Sequence, residues 1–419
     1  MGAAILLFAA LPARAVTMTE LFDAVAAQPG VTASALTASE ANLRHKAAIA
    51  ALFPQINAFG KAEIYNSPTN VRPMPPTEVN VAAGESLPFS REIMRYGLTL
   101  DMPLFVKSLL DLQEKSEALA VKARLGLTLK LVGNEAAVVA ANGAYHYMVN
   151  LNSSINARLT SLAKTKEDMA RMVQTGRAAQ AELLKIENSI NELEIQQNEL
   201  AARILDIRRQ LETITGLTLT APAPMVMAAE LVPAPYLEVR IAKQETLAAR
   251  QELERRSNAR WPSLHLSGTV SGNEGTAYNT DKDFNRQYSF AALTLKIPLF
   301  DQTLDVDRAI ARTQLKKAEK YQEERRAELA ALERNLKDKL PVIEQSRILA
   351  GKSLENRRRL LKIAQVAHES GRTTTEEYLR YESQVLAAQA VLLQAENEKW
   401  QIVSQLAVLY GVELKGVIL

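Results

Sequence analysis

The sequence contains no cysteine. Disulfides, thiolate metal sites, a cysteine nucleophile and a lipid-bearing N-terminal cysteine are therefore all excluded. Aromatic residues make up only 5% of the chain, little for the core of a compact α/β enzyme, while Ala, Leu, Glu, Lys, Arg and Gln are abundant and suit long helices. Neither charge sign is in excess: 50 Lys and Arg against 47 Asp and Glu leave +3. No basic surplus exists to meet phosphates, so nucleic acid is not an expected partner. The four histidines, His45, His146, His265 and His368, are scattered. Gly351-Lys352-Ser353 imitates the end of a phosphate loop, but Ser346 stands where the motif needs its first glycine. His368-Glu369 has no second histidine at zinc-peptidase spacing. No catalytic residue, metal site or cofactor is expected, and the chain does not read as an enzyme.

A long hydrophobic run is missing too. Beyond the N-terminus no stretch approaches the ~18 apolar residues of a spanning helix. Residues 1–15 read as an export signal: a short apolar run, Pro12, then Ala13-Arg14-Ala15 as a small-x-small cleavage site. No Lys or Arg precedes the run, and a buried N-terminal helix is the alternative. An exported chain without a spanning helix is either soluble or a barrel.

What the sequence does have is a duplication. Leu98-Thr99-Leu100-Asp101-Met102-Pro103-Leu104-Phe105 returns 195 residues later as Leu293-Thr294-Leu295-Lys296-Ile297-Pro298-Leu299-Phe300. Thr175-Gly176-Arg177 returns as Ser370-Gly371-Arg372, and Ile214-Thr215-Gly216 as Leu409-Tyr410-Gly411, at the same spacing. Upstream, Phe53-Pro54-Gln55-Ile56 parallels Trp261-Pro262-Ser263-Leu264 at a spacing of 208. The extra 13 residues of the first half belong in a loop. The repeats span 16–216 and 237–419, joined by a linker, 217–236, that carries Pro222, Pro224, Pro233 and Pro235 and reads as extended.

Each repeat reads as a helix, two strands and two long helices. Ile56, Ala58, Gly60, Ala62 and Ile64 alternate with Gln55, Asn57, Lys61 and Glu63, with Phe59 as the exception. Tyr96, Leu98, Leu100 and Met102 alternate with Arg95, Gly97, Thr99 and Asp101, and Leu264, Leu266, Gly268 and Val270 with polar neighbours. Period two with one apolar face predicts strands at about 54–65, 92–103, 262–271 and 288–298. Such a face suits lipid outside a barrel or the dry core of a soluble sandwich. The intervening stretches, 66–90 with Pro68, Pro73, Pro75, Pro76 and Pro88, and 271–287 with Gly272, Asn273, Gly275 and Asn279, read as exposed loops.

From Pro103 to Gly176 no proline occurs, which predicts a helix of roughly 110 Å. Helices are predicted over about 104–175, 177–215, 299–370 and 373–410. The returning helix keeps a 3-4 spacing, Leu183, Ile186, Ile190, Leu193, Gln197, Leu200, Ile204, Ile207, Leu211, Ile214. Its copy runs Tyr378, Tyr381, Val385, Ala388, Leu392, Ala395, Lys399, Ile402, Leu406, Leu409. Only Gln197 and Lys399, at equivalent places, interrupt these coiled-coil seams. Pro341 stands where the first half has His146, and predicts a bend in the second long helix alone.

The export signal, the missing lipid cysteine and the duplicated strand pair plus helix pair together resemble the TolC family of outer-membrane efflux proteins. The specific pieces are Met18-Thr19-Glu20-Leu21-Phe22-Asp23-Ala24-Val25 with Gln28-Pro29, the strand starts at Pro54 and Pro262, the Pro-Leu-Phe junctions at Pro103 and Pro298, and the two glycine turns. The resemblance implies a mainly α fold with a transmembrane β-barrel: a homotrimer whose four strands per chain close a twelve-stranded barrel in outer-membrane lipid, continued by a long α-helical periplasmic tunnel. It implies a passive exit duct of a tripartite efflux or type I secretion system. A periplasmic adaptor would dock at the helical tips, Thr175, Gly176, Arg177 and Ala178 with Ser370, Gly371, Arg372, Thr373 and Thr374, and would link the duct to an inner-membrane pump. Glycine at a helix reversal also serves the turn by itself. In some members acidic residues narrow the tunnel entrance shortly after the second tip; here Glu376 and Glu377 fall there, but Arg380 follows, so a purely acidic entrance does not follow, and a solvated helix face reads equally well. Drug, metal and protein cargo are all compatible with such a duct. The alternatives are a periplasmic adaptor, which usually carries one helical hairpin rather than two, and a structural coiled-coil protein, which needs neither strands nor an export signal.

Overall fold

The computed structural model describes residues 16–73 and 86–419. The predicted export signal, 1–15, and the loop prolines Pro75 and Pro76 lie outside the described residues. The elements are α1 (Met18–Ala26), α2 (Pro29–Ala50), β1 (Gln55–Asn70), β2 (Phe89–Phe105), α3 (Lys107–Gln174), α4 (Gln180–Thr215), α5 (Leu237–Asn258), β3 (Ser263–Thr276), β4 (Asp283–Lys296), α6 (Gln302–Glu369) and α7 (Thr375–Tyr410), then a short 3-10 turn, Leu414–Gly416. The chain is thus mainly helical with one small sheet. Among the described residues no helix is long and apolar enough to cross a membrane.

The duplication holds residue by residue in the helices. α3 and α6 have 68 residues each and α4 and α7 have 36 each. Both members of each pair begin 195 residues apart. α6 continues unbroken through Pro341.

The chain forms two compact units. One holds 38–123 and 242–322 and contains the sheet, antiparallel and in the order β1-β2-β3-β4. Directly paired residues share a face. Ile56, Ala58, Ala62 and Ile64 therefore lie with Met94, Tyr96, Leu98 and Leu100, with Leu266 and Val270, and with Ala291, Leu293 and Leu295. This apolar face is uncovered: Ile64 is 84% exposed, and Ile56, Leu98, Val270 and Leu293 are all exposed. On the opposite, polar face Arg95 donates to Glu63 Oε2 (2.5 Å), Asn273 Oδ1 (3.2 Å) and the carbonyl of Asn70 (3.2 Å), and also to the carbonyl of Val71. Val71 and Ile93 are buried beside this cluster.

The other unit comprises the described residues up to Thr37, Arg124–Ile241 and Glu323–Leu419. Its main core gathers Met18, Leu21, Phe22 and Val25 of α1 against Val132, Val139 and Tyr145 of α3, Leu211 of α4, Ala407 of α7 and Leu414 and Ile418. A capping box opens α1: Thr17 N–H donates to Glu20 Oε2 (2.9 Å), and Glu20 N–H donates to Thr17 Oγ1 (3.3 Å). The fully buried Asn142 pairs with the linker like a strand neighbour, donating from Nδ2 to the Ala223 carbonyl (2.8 Å) and accepting from Ala223 N–H (2.9 Å). The linker, 217–236, holds no helix or strand and pairs with the C-terminus through an isolated bridge, Met227 to Ile418.

The seams pack as their spacing predicts. Ile186, Leu193, Leu200 and Leu211 of α4, and Ala388, Ala395, Ile402, Leu406 and Leu409 of α7, are buried. The two interruptions have polar partners on the long helices: Gln197 Nε2 donates to Asn156 Oδ1 of α3, and Lys399 Nζ lies 3.7 Å from Glu344 Oε2 of α6. A polar pair at one seam position fixes register at some cost in stability.

Candidate functional site

The two helix reversals are built alike. α3 ends in a Schellman motif: Gly176 has φ +72°, its N–H donates to the Val173 carbonyl (3.0 Å), and Arg177 N–H donates to the Met172 carbonyl (2.8 Å). α6 ends the same way, with Gly371 at φ +68°, its N–H on His368 (2.9 Å) and Arg372 N–H on Ala367 (2.8 Å). A Cβ at either glycine would meet nothing within 4 Å, so the backbone angle alone demands glycine. Thr175 and Ser370 each turn a hydroxyl back onto the last turn, to the carbonyls of Arg171 (3.0 Å) and Val366 (3.0 Å).

The reversals differ in how the next helix starts. Thr374 caps α7 by accepting from Glu377 N–H (3.2 Å), whereas Ala179 at the start of α4 has no side chain to do so. Ala178 and Thr373 are half-buried, while Arg177 and Arg372 are exposed. Neither arginine has a carboxylate within salt-bridge distance among the described residues. A groove of about 370 Å³ lies beside the first tip, lined by Met172, Thr175 and Arg177 from one reversal and His368 and Glu369 from the other.

The residues proposed for the entrance sit in the first turns of α7. Glu377 Oε1 pairs with Arg380 (3.4 Å), and Glu376 Oε2 lies 3.9 Å from Lys185 Nζ of α4. Both carboxylates also lie at the positive end of the α7 dipole. Their negative charge is therefore answered locally.

One turn further in lies a cluster that the sequence did not reveal. Glu382 is 4% exposed. Its Oε1 accepts from Tyr378 Oη (2.6 Å) and Ser161 Oγ (2.8 Å), and its Oε2 lies 3.5 Å from Arg158 Nε. His368 stacks on Tyr378 at 5.0 Å between ring centres. Burial, reinforced by the Glu382 carboxylate, pushes the Tyr378 phenol up. Burial also lowers the Arg158 guanidinium, against the pull of Glu382. The only sequence signal was a glutamate one turn beyond the seam tyrosine.

The strand–helix junctions expected at Pro103 and Pro298 need one correction. Pro103 is not where β2 ends: it pairs with His265 inside the strand, which continues through a bulge to Phe105, opposite Leu264. Proline is tolerated at such a bulge. Pro298 does lie between β4 and α6.

No family model and no curated protein matches the chain. Solved structures do. The outer membrane protein VceC of Vibrio cholerae superposes with a TM-score of 0.79 at 12% identity, covering 96% of each chain. This is the fold of the outer-membrane channels. The outer-membrane channel OprN superposes at 0.80 with 16% identity, over 95% of this chain and 90% of its own. The CmeC outer membrane channel of Campylobacter jejuni gives 0.78 at 13% identity, over 96% and 85%. At these identities the likeness to the channels is one of fold.

Proposed function

We infer that the chain is a TolC-type subunit of an outer-membrane exit duct: three copies close a twelve-stranded barrel in lipid, and the long helices wall a periplasmic tunnel. One observation carries the reading. The four-stranded sheet has an uncovered apolar face, a polar opposite face and two unpaired edges. Lipid accepts the first but no open edge, so further strands must come from other copies. The channel fold supports the same reading. The duct is passive, performs no catalytic step and takes its cargo from a tripartite efflux or type I secretion system. A periplasmic adaptor docks at the two reversals, where Arg177 and Arg372 offer exposed, unanswered charge, and connects them to an inner-membrane pump. Fractionation and native mass measurement of the detergent-extracted particle test the reading: a trimer from the outer membrane is expected, and a soluble periplasmic monomer would refute it.

A further inference from the structure

The repeat identifies what completes the open sheet. Ile56 pairs with Leu100 in the β1·β2 hairpin. Moving each by its repeat spacing, 208 and 195, gives Leu264 and Leu295, which are paired in β3·β4. From Gln55↔Asp101 to Ile64↔Glu92 the two hairpins therefore share one register, pair for pair, and the spacings carry through this part of the sheet. The remaining contact, β2·β3, can be carried forward in the same way. Leu98 pairs with Val270, and beyond the bulge Phe105 pairs with Leu264. Their counterparts are Leu293 with Ala62, and Phe300 with Ile56. These strands, β4 and β1, are the two edges of the sheet and cannot meet within one chain.

We propose that β4 of one copy pairs antiparallel with β1 of a second copy in the register Leu293 to Ala62, and that this contact extends β4 through residues 297–300. The inference rests on the duct reading and adds the register and the longer strand. Its faces agree. Ala291 falls opposite Ile64, Leu293 opposite Ala62, Leu295 opposite Gly60 and Ile297 opposite Ala58, all on the apolar side. A slip of one residue would set most of these apolar side chains against polar ones such as Lys61 and Glu63, with Phe59 the exception.

The exposure of the two junctions points the same way. Leu104 and Phe105, which lie in β2 beside β3, are 46% and 41% exposed, whereas their counterparts Leu299 and Phe300 are 94% and 91% exposed. Phe105 is paired in the sheet opposite Leu264, whereas Phe300 lies beyond the end of β4 with no strand partner among the described residues. In the proposed register Ile56 of the second copy is that partner.

Paired cysteines test this directly, because the chain has no others. A disulfide needs Cα atoms about 4.4–6.8 Å apart, which direct cross-strand partners satisfy and diagonal ones, at about 7–8 Å, do not. The seam pairs are A62C/L293C and I56C/F300C, the shifted controls A62C/L295C and A62C/A291C, and the intrachain calibrator L98C/V270C. Oxidised outer membranes are denatured and run on non-reducing gels, with native mass measured in parallel. Both seam pairs should give covalent oligomers at least about five-fold more efficiently than the shifted controls. A shifted pair linking best would overturn the register while leaving the duct intact. Failure of I56C/F300C alone would overturn the strand extension. No interchain link in a particle of trimer mass, with the calibrator closed, would overturn the β4–β1 seam. The same result in a monomer would refute the duct reading itself.

Discussion

Gly97 offers a severe test of the sheet. It sits in β2 between Phe59 of β1 and Ser271 of β3. A Cβ added there would stand 2.1 Å from the Val270 carbonyl oxygen and 2.8 Å from the Ser271 Cα. Close carbon–oxygen contacts in sheets are about 3.3 Å, so Gly97→Ala forces the strands apart by about 1.2 Å. The obstructing atoms are backbone, which no rotamer change can move. Ladder bonds near 2.9 Å would stretch past hydrogen-bonding range. Two lost bonds at about 1–3 kcal/mol each give about 2–6 kcal/mol. Gly268 in β3 is the control: a Cβ there meets Phe290 O at an ordinary 3.4 Å, and Gly268→Ala should cost under about 1 kcal/mol. Urea titration of refolding into detergent, read as heat-modifiable oligomer on gels, should show a folded-to-unfolded ratio for Gly97→Ala at least about 30-fold lower than wild type. If Gly97→Ala and Gly268→Ala behave alike, the close approach of β2 and β3 is not what requires glycine at position 97.

Three further outcomes follow from the helical unit. Reversing both tip charges, R177E with R372E, should abolish transport in cells while leaving oligomer yield unchanged; normal export with normal adaptor crosslinking would remove the tips from docking. Glu382→Ala strands Arg158 buried without its partner and should cost about 3–5 kcal/mol in urea unfolding, whereas Glu382→Gln also loses the charge but keeps an acceptor for Tyr378 and Ser161 and should cost clearly less; equal losses would mean that those hydrogen bonds contribute nothing and the charge pair carries the whole effect. Glu135, buried and accepting from Leu414 N–H (2.6 Å), is raised from 4.5 to about 6, chiefly by burial. Its folded form prefers the proton, so this contribution is complete below about pH 4.5 and is lost as pH rises through about 6, a change of about 2 kcal/mol. Urea midpoints measured across that range should vary with pH in wild type and flatten in Glu135→Gln, and an unaltered profile would refute the assignment.

The parts legible in the sequence were those written in hydropathy. The helix pairs, their seams and the lower halves of the strands all follow a period that one face must obey. The upper strand ends did not. β3 runs to Thr276 through Gly272, Asn273 and Gly275, which read as turn formers. β1 passes Pro68 and reaches Asn70 by shifting register after Ile64. There both faces are polar, and backbone pairing leaves no trace in side-chain pattern. The Glu382 cluster was hidden for a different reason: it joins Arg158 and Ser161 to Tyr378 across two helices far apart in sequence, and no spacing rule connects them. The tip glycines were legible because a left-handed residue at a reversal is a local requirement.

The polar face of the sheet also carries an electrical signature. Lys61, Arg95, Arg286 and Lys296 lie on it against Glu63 and Asp101. Closed around water, such a wall is a fixed-charge filter of positive sign, with two more cations than anions per copy among these paired residues. An open duct of this kind should let chloride through more readily than potassium. In planar bilayers under a salt gradient the zero-current potential should lie toward the chloride side. It should relax toward zero as salt is raised and the Debye length shrinks from about 10 Å at 0.1 M to about 3 Å at 1 M.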